Sequence, residues 1–440
     1  VRTSWRVTLA TAPITAWHFG QVSLGGVIGN LIAGPAFELA ALPLGLLGAT
    51  LSAISPTLGG LCIDAAVAIA GLAAQLIAQL ARITPTLHVR APSTIELVLC
   101  GALLALWLVR AEESRRRRAV RVALAIALAI AWWWHRPQRD DALRVTFLDV
   151  GQGDAAVIEL PDGAVWLIDA GGAPGGGSVQ AQLGPGRAVA AFLRHRGVRA
   201  IDLAIISHPH PDHYLGLLAV AAEVPIRTLW AAAPADDEHD DDPAAASRGG
   251  LGYRAVVGAL AAAGTRVETP TLGASTHGDV TLEVLAPGEH GLATADPVRT
   301  VNDNSLVVRV ARGGTRVLFL GDLEDEGEEA LVARGDLAAT IVKVAHHGSP
   351  TSSTAALVEA TRPRWAVMSL GRGNRFRFPA PAVVARWRAV GAAVVRTDEV
   401  GATTARIHAD GTIEVTSFDP PPFDPPAGET APPPRVIMPR

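Results

Sequence analysis

Residues 22–54 are almost continuously apolar, interrupted by Gly34, Pro35, Pro43 and several other glycines. A helix needs about 20 apolar residues to cross hydrocarbon. This stretch is long enough, as is 58–83, which carries Asp64, Gln75 and Gln79. Residues 95–109 and 122–134 are shorter. They read either as spans completed by flanks such as 119–121 or as interfacial or buried helices. Between them, 110–121 holds six arginines, a charge excess that places the loop in the cytoplasm. The indoles of Trp132, Trp133 and Trp134 suit the opposite interface, so everything after residue 135 is expected on the non-cytoplasmic side. Glu38, Asp64 and Glu96 lie in or at the ends of apolar spans. Such a group is expected to face a partner or a water-filled path; for Glu38 and Glu96, reaching the interface from near a helix end fits equally.

Composition sharpens this division. Of 440 residues 49% are hydrophobic and only 18% charged, with a mean hydropathy of +0.28, which excludes both a largely disordered chain and an all-soluble one. Residues 1–140 carry 12 Lys and Arg against 6 Asp and Glu, whereas 141–440 carry 26 against 36, a net of −10. The acidic remainder argues against a broad electrostatic footprint for nucleic acid there. Both cysteines, Cys62 and Cys100, fall in the first third, so any metal in the remainder must be held by His, Asp and Glu. A chain that begins at Val1 reads as a piece of a longer protein.

From Leu143 onward the pattern turns to short strands broken by Gly and Pro-Asp-Gly turns. Strands are expected at 143–150, 155–160, 165–169, 201–206, 280–285, 306–310, 317–320, 340–344 and 365–369. Helices are expected near 188–196, 251–263, 324–333 and 382–390, which together indicate a layered α/β fold. Residues 171–177 form a glycine-rich loop, 236–242 a solvated acidic loop, and 419–440 a Pro-rich tail without apolar periodicity.

Directly after the apolar segment Ile201–Ile206 stands Ser207-His208-Pro-His210-Pro-Asp212-His213. Imidazole and carboxylate at this density suit Zn²⁺, Mn²⁺ or Fe²⁺ without a thiol. The alternating spacing lets His208 and His210 project to one side of an extended segment, with Asp212 and His213 opening the next turn. Asp322, after the strand at 317–320, reads from its position as the N-cap of the helix at 324–333. Lys343, the chain's sole lysine, sits beside a substrate phosphate or on a surface strand.

The His-x-His-x-Asp-His string resembles the signature of the metallo-β-lactamase superfamily. Three further strings are similar to the lactamase-like domain of the ComEC family of DNA-uptake proteins: Leu148-Asp-Val-Gly-Gln-Gly-Asp154, Asn302-Asp303-Asn304-Ser305 and His346-His347-Gly348-Ser349. Residues 21–35 resemble part of that family's competence membrane domain. The resemblance implies transmembrane α-helices over 1–135 followed by an αββα sandwich over 141–418. It implies a divalent ion, Zn or Mn and one or two in number, held among His208, His210, Asp212, His213, Asp322 and His346, the last preferred over His347. Asp169 would steer a histidine, with Asp154, His347 and Lys343 as further supporting groups, and Asp212 would bind or orient the attacking water. One departure stands out: Phe378 occupies the place where the family often carries a late histidine, which favours one tightly held ion over two.

The implied function is a multi-pass plasma-membrane channel for transforming DNA, with a metal-dependent phosphodiesterase domain outside the cytoplasm. Its partners would be a DNA strand in transit, membrane lipid and other competence proteins. The competing expectation is a transporter whose lactamase-like domain has lost catalysis and only guides DNA. Arg372, Arg375 and Arg377, interleaved with Phe376 and Phe378, form either a local nucleic-acid groove or an ordinary arginine-rich loop.

Overall fold

The computed structural model describes residues 2–19, 21–23, 25–84, 86–89, 92–108, 114–134, 141–173, 178–232, 252–288 and 291–418. Part of the glycine-rich loop, the acidic loop at 236–242, the tail at 419–440 and residues 110–113 of the arginine loop lie outside them. The chain divides into two compact units at residues 138 and 139.

In the first unit the apolar runs are helical. Gly26–Ser52 (27 residues) and Pro56–Ala81 (26 residues) are each long and apolar enough to cross a membrane. Between them, Ser55 Oγ accepts from the Leu58 backbone N–H at 3.5 Å and starts the second helix. Thr94–Leu108 has 15 residues, which at 1.5 Å per residue falls short of a bilayer of about 30 Å. Arg115–Trp134 has 20 residues but opens on four arginines with Arg121 close behind, so its uninterrupted apolar part, 122–134, is shorter still. Strands β1 (Gln21–Ser23) and β2 (Thr86–His88) pair antiparallel.

The second unit is built from two sheets. Along the first run β17 (Ile413–Ser417), β16 (Thr403–Ile407), β3 (Leu143–Phe147), β4 (Ala156–Glu159), β5 (Val165–Ile168), β6 (Ile201–Ile206), β7 (Ile226–Ala231) and β8 (Arg266–Glu268). Along the second run β15 (Ala393–Arg396), β14 (Trp365–Met368), β13 (Ile341–Lys343), β12 (Thr315–Phe319), β11 (Val307–Arg312), β10 (Val280–Ala286) and β9 (Gly273–His277). Period-two alternation sorts each strand between two cores. Leu203 and Ile205 of β6 meet Val317 and Phe319 of β12 between the sheets. Ile201, Ala204 and Ile206 face outward against helices instead, as Leu318 and Leu320 do on the far side. Helix Gly184–His195 shows why: Gly186, Val189, Ala190 and Leu193 recur at intervals of three and four and are its buried stripe. Helices Asp325–Ala333, Ala355–Thr361 and Pro381–Ala389 cover the other sheet. The result is the expected αββα sandwich. Sequence periodicity overlooked β7, β8, β9, β15, β16 and β17.

β5 through β8 run parallel, as do β12 through β15. The segments leaving the carboxyl ends of β5, β6, β12, β13 and β14 carry Asp169, His208–His213, Asp322, His346–His347 and Ser369. Open α/β sheets place their sites beyond such ends.

Candidate metal centre

Asp322 is the point on which the imidazoles converge. Its Oδ2 lies 3.3 Å from His213 Nε2, 3.5 Å from His347 Nε2, 3.9 Å from His208 Nε2 and 4.0 Å from His346 Nε2. Backbone geometry delivers it there. Gly321 has φ +57°, and a Cβ on it would stand 2.7 Å from Ser305 Cβ and 3.1 Å from Ser207 Cβ. Only glycine fits that crossing.

Three rings are oriented from behind by their Nδ1 atoms. His213 Nδ1 lies 2.8 Å from Asp169 Oδ2 and His347 Nδ1 2.8 Å from the Ser369 carbonyl. Because both partners can only accept, each Nδ1 must carry the proton. Ser207 Oγ donates to Asp169 Oδ2 at 2.7 Å and sits 3.1 Å from His208 Nδ1. Asp169, at φ +56°, also accepts from the Ser207 backbone N–H at 2.8 Å. His346 and His347 both adopt left-handed backbone, φ +47° and +54°, a conformation non-glycine residues hold only where the surroundings impose it.

The Nε2 atoms of His213 and His347 and the Oδ1 of Asp322 are buried without a hydrogen-bond partner among the described residues. Inward lone pairs on imidazole rings anchored from behind, beside a buried carboxylate, are the donor set a divalent ion requires. Among the described residues, His208, His213 and Asp322 place donor atoms within 4.8 Å of one another; so do Asp212, His213 and His347, and also Asp154, Asp322 and His347. The residues present therefore fit a divalent cation.

Charge reinforces the arrangement. Burial alone would push His213 toward its neutral form, yet Asp322 and Asp169 hold its pKa well above the ordinary imidazole value. Against the same burial, Asp322 and Asp154 push His347 up to about 10. His208 falls well below the ordinary value, through burial and then the neighbouring His213 charge. Asp322, despite its burial, is held well below the carboxylate range by His213 and His347. Burial raises Asp169, with His213 opposing. A cation entering here takes the place of imidazole protons.

The geometry favours His347 over His346 as the imidazole at this centre. His347 is 2% exposed, whereas His346 turns its Nδ1 toward Glu324 Oε1 at 3.2 Å and stands at the rim. His210 is also peripheral, its Nδ1 2.9 Å from His208 Nε2, and it belongs to none of the donor trios. Asp212 lies beside His347, its Oδ2 3.5 Å from Nε2. Lys343 is neither on the surface nor in an open groove. It is buried, and its Nζ pairs with Asp154 Oδ2, while Asp154 Oδ1 approaches His347 Nδ1 at 3.3 Å.

The sequence strings acquire physical roles. Gly153, at φ +126°, would drive a Cβ to 2.4 Å from the Asp212 carbonyl; its absence lets the Asp154 backbone N–H reach that oxygen at 3.3 Å. Ser305 Oγ accepts from the Asp322 backbone N–H at 3.0 Å. Asp303, not Asp322, caps the following helix, its Oδ1 accepting from Glu324 and Gly327 N–H at 3.0 and 2.8 Å. Asp303→Ala is expected to cost about 2 kcal/mol, a lost cap plus unpaired N–H groups. Thermal or denaturant unfolding checks this; a change under about 0.5 kcal/mol, the level of an inert surface site, refutes it.

Comparison with known proteins bears on the whole chain. Residues 148–372 match the family model of the metallo-β-lactamase superfamily, and residues 1–114 that of the competence protein family. The "Competence protein ComA" of Neisseria gonorrhoeae is 29% identical over 410 residues, 91% of this chain and 51% of that protein. The "ComE operon protein 3" of Bacillus subtilis is 27% identical over 428 residues, 94% and 52% respectively. The "Recombination protein 2" of Haemophilus influenzae is 28% identical over 268 residues, 61% and 29%. The chain spans about half the length of the first two relatives.

Proposed function

We propose, from the premise that the chain belongs to the metallo-β-lactamase superfamily and carries a competence-protein segment ahead of that fold, that it serves DNA uptake through a membrane and hydrolyses phosphodiester bonds of incoming DNA. The observation that carries the hydrolytic part is the convergence of anchored imidazoles on Asp322. The competence match over residues 1–114 and the two long apolar helices support the membrane setting. The arginines at 115–118 and 121 support a multi-pass topology with the second unit outside the cytoplasm.

In this reading His208, His213 and His347, through Nε2, together with Asp322, hold one divalent ion, Zn or Mn. When bound, such an ion lowers the pKa of water from about 15.7 toward about 7 and offsets charge on a phosphoryl oxygen. Asp169, Ser207 and the Ser369 carbonyl keep the Nε2 lone pairs inward, as groups behind metal-binding histidines do. Asp212, whose side chain is 17% exposed, is the carboxylate best placed to orient the attacking water and take its proton. His210 and His346 line the approach, where a second ion or the substrate phosphate would sit. A transport partner, other competence proteins and the strand handled belong to the same proposal.

A guiding-only domain is the second reading, favoured by Phe378, whose ring packs against His346 at 5.7 Å and offers no ligand atom. Metal content separates the two. The purified full chain is expected to carry close to one equivalent of divalent metal and to cleave single-stranded DNA. Chelation should reduce cleavage by about 10³-fold, with recovery on adding Mn²⁺ or Zn²⁺. It should also lower the melting temperature of the second unit, because an ion that binds only the folded state stabilises it. Absence of metal and of metal-dependent cleavage leaves the guiding role.

A further inference from the structure

The loop leaving β14 carries Arg372, Arg375, Phe376, Arg377 and Phe378, none of which the centre uses. Its shape is fixed by Asn374, whose Oδ1 accepts from the Phe378 backbone N–H at 2.9 Å and whose Nδ2 donates to the Phe378 and Gly371 carbonyls at 2.8 and 3.1 Å. Phe376 and Phe378 stack, centroids 5.5 Å apart and planes 19° from parallel. The Arg375 guanidinium lies 4.9 Å from the Phe376 centroid. Phe378 in turn meets His346 edge-on, so the stack begins at the rim of the metal centre. Phe376 is nonetheless 46% exposed, and Arg372, Arg375 and Arg377 are exposed beside it.

An open aromatic ring of this size costs hydration unless something covers it. The Arg375 guanidinium over the ring, on a loop that also exposes Arg372 and Arg377, selects a partner that is both flat and anionic. We propose that Phe376, Phe378 and Arg375 form a stacking platform for an unpaired nucleobase next to the cleavage site, so that the domain takes single-stranded polynucleotide. Stacking of bases on aromatic rings, with arginine at the phosphates, is how proteins hold single strands without reading sequence. The platform also accounts for Phe378 itself: the position supplies a ring for the stack in place of a metal ligand. Such local recognition needs no positive field over the whole unit, whose net charge is −10. This inference rests on the phosphodiesterase reading, since it places the base beside a phosphate on the approach lined by His210 and His346.

The test measures binding by the full chain in detergent, with chelator present to suppress cleavage. The two fluorescent probes are an oligothymidylate and an abasic phosphodiester of the same length. Wild type is expected to prefer the oligothymidylate by about tenfold. Phe376→Ala should erase that preference while leaving abasic affinity unchanged, and Phe376→Trp should keep it. Arg375→Ala should weaken both probes. Equal binding of the two probes by wild type overturns the platform, while metal-dependent cleavage, read separately, still stands. A Phe376→Ala chain that retains the preference also overturns it, and binding of neither probe overturns the platform and the nucleic-acid reading together.

Discussion

Asp322→Ala is expected to yield a folded chain that retains no divalent ion and cleaves DNA on the order of 10³-fold more slowly. Four imidazole nitrogens lie within 4.0 Å of Oδ2, one of the two oxygens this change removes, so the substitution takes a partner from four candidate ligands at once. The fold should survive because the helix beyond is capped by Asp303 and not by Asp322. Removing a carboxylate that is itself expensive to bury also relieves a desolvation cost. Asp322→Asn keeps the side chain's shape and the hydrogen bond that its own backbone N–H gives Ser305, and it should lose metal equally. Elemental analysis of purified protein and circular dichroism melting decide the matter. Retention of stoichiometric metal by either variant would show that the imidazoles hold the ion without this carboxylate, and the proposed centre would be wrong.

How far the sequence could be read differs between the two levels. Most of the legible strands are buried on both faces, and their apolar runs stand out: Ile201–Ile206 is found with the bounds its composition suggests. Strands such as β9, Gly273–His277, with every residue exposed, carry no apolar signal. They exist because β10 offers them backbone partners. At the site, the local string 207–213 was visible because its ligands are adjacent in sequence. The choice between His346 and His347 was not, since two neighbouring histidines have equal chemistry. The left-handed backbone at both residues, together with the Ser369 carbonyl arriving from β14, decides which ring turns inward. The role of Ser207 was hidden for a similar reason. Its hydroxyl matters only once β5 brings Asp169 alongside. Asp303 likewise could not be told from Asp322 as the cap, because the first lies 21 residues from the N–H group it satisfies.

Lys343→Met is expected to destabilise the second unit by about 3–5 kcal/mol, the cost of breaking a buried ion pair from one side. Lys343 is 4% exposed and its ammonium faces Asp154, which is 5% exposed. A surface ion pair would contribute less than about 1 kcal/mol; burial is what makes the difference. Without the ammonium, Asp154 keeps, among the described residues, the His347 and His213 rings at 3.3 and 3.9 Å as countercharges, and both rings are wanted neutral when a cation binds. The same change should therefore weaken metal binding by roughly ten- to a hundredfold, as loss of a group that orients a ligand does. Methionine fills the space the lysine stem occupied, so the effect isolates charge from cavity formation. The double variant Lys343→Met with Asp154→Asn removes the stranded carboxylate. It should regain a substantial part of the lost stability, with a coupling energy of about 0.5–3 kcal/mol between the positions. Metal affinity should not return with it, because an amide cannot supply the negative charge that faces His347. Additive effects on unfolding, or full recovery of metal binding in the double variant, would show that the pair is a packing element with no hold on the centre.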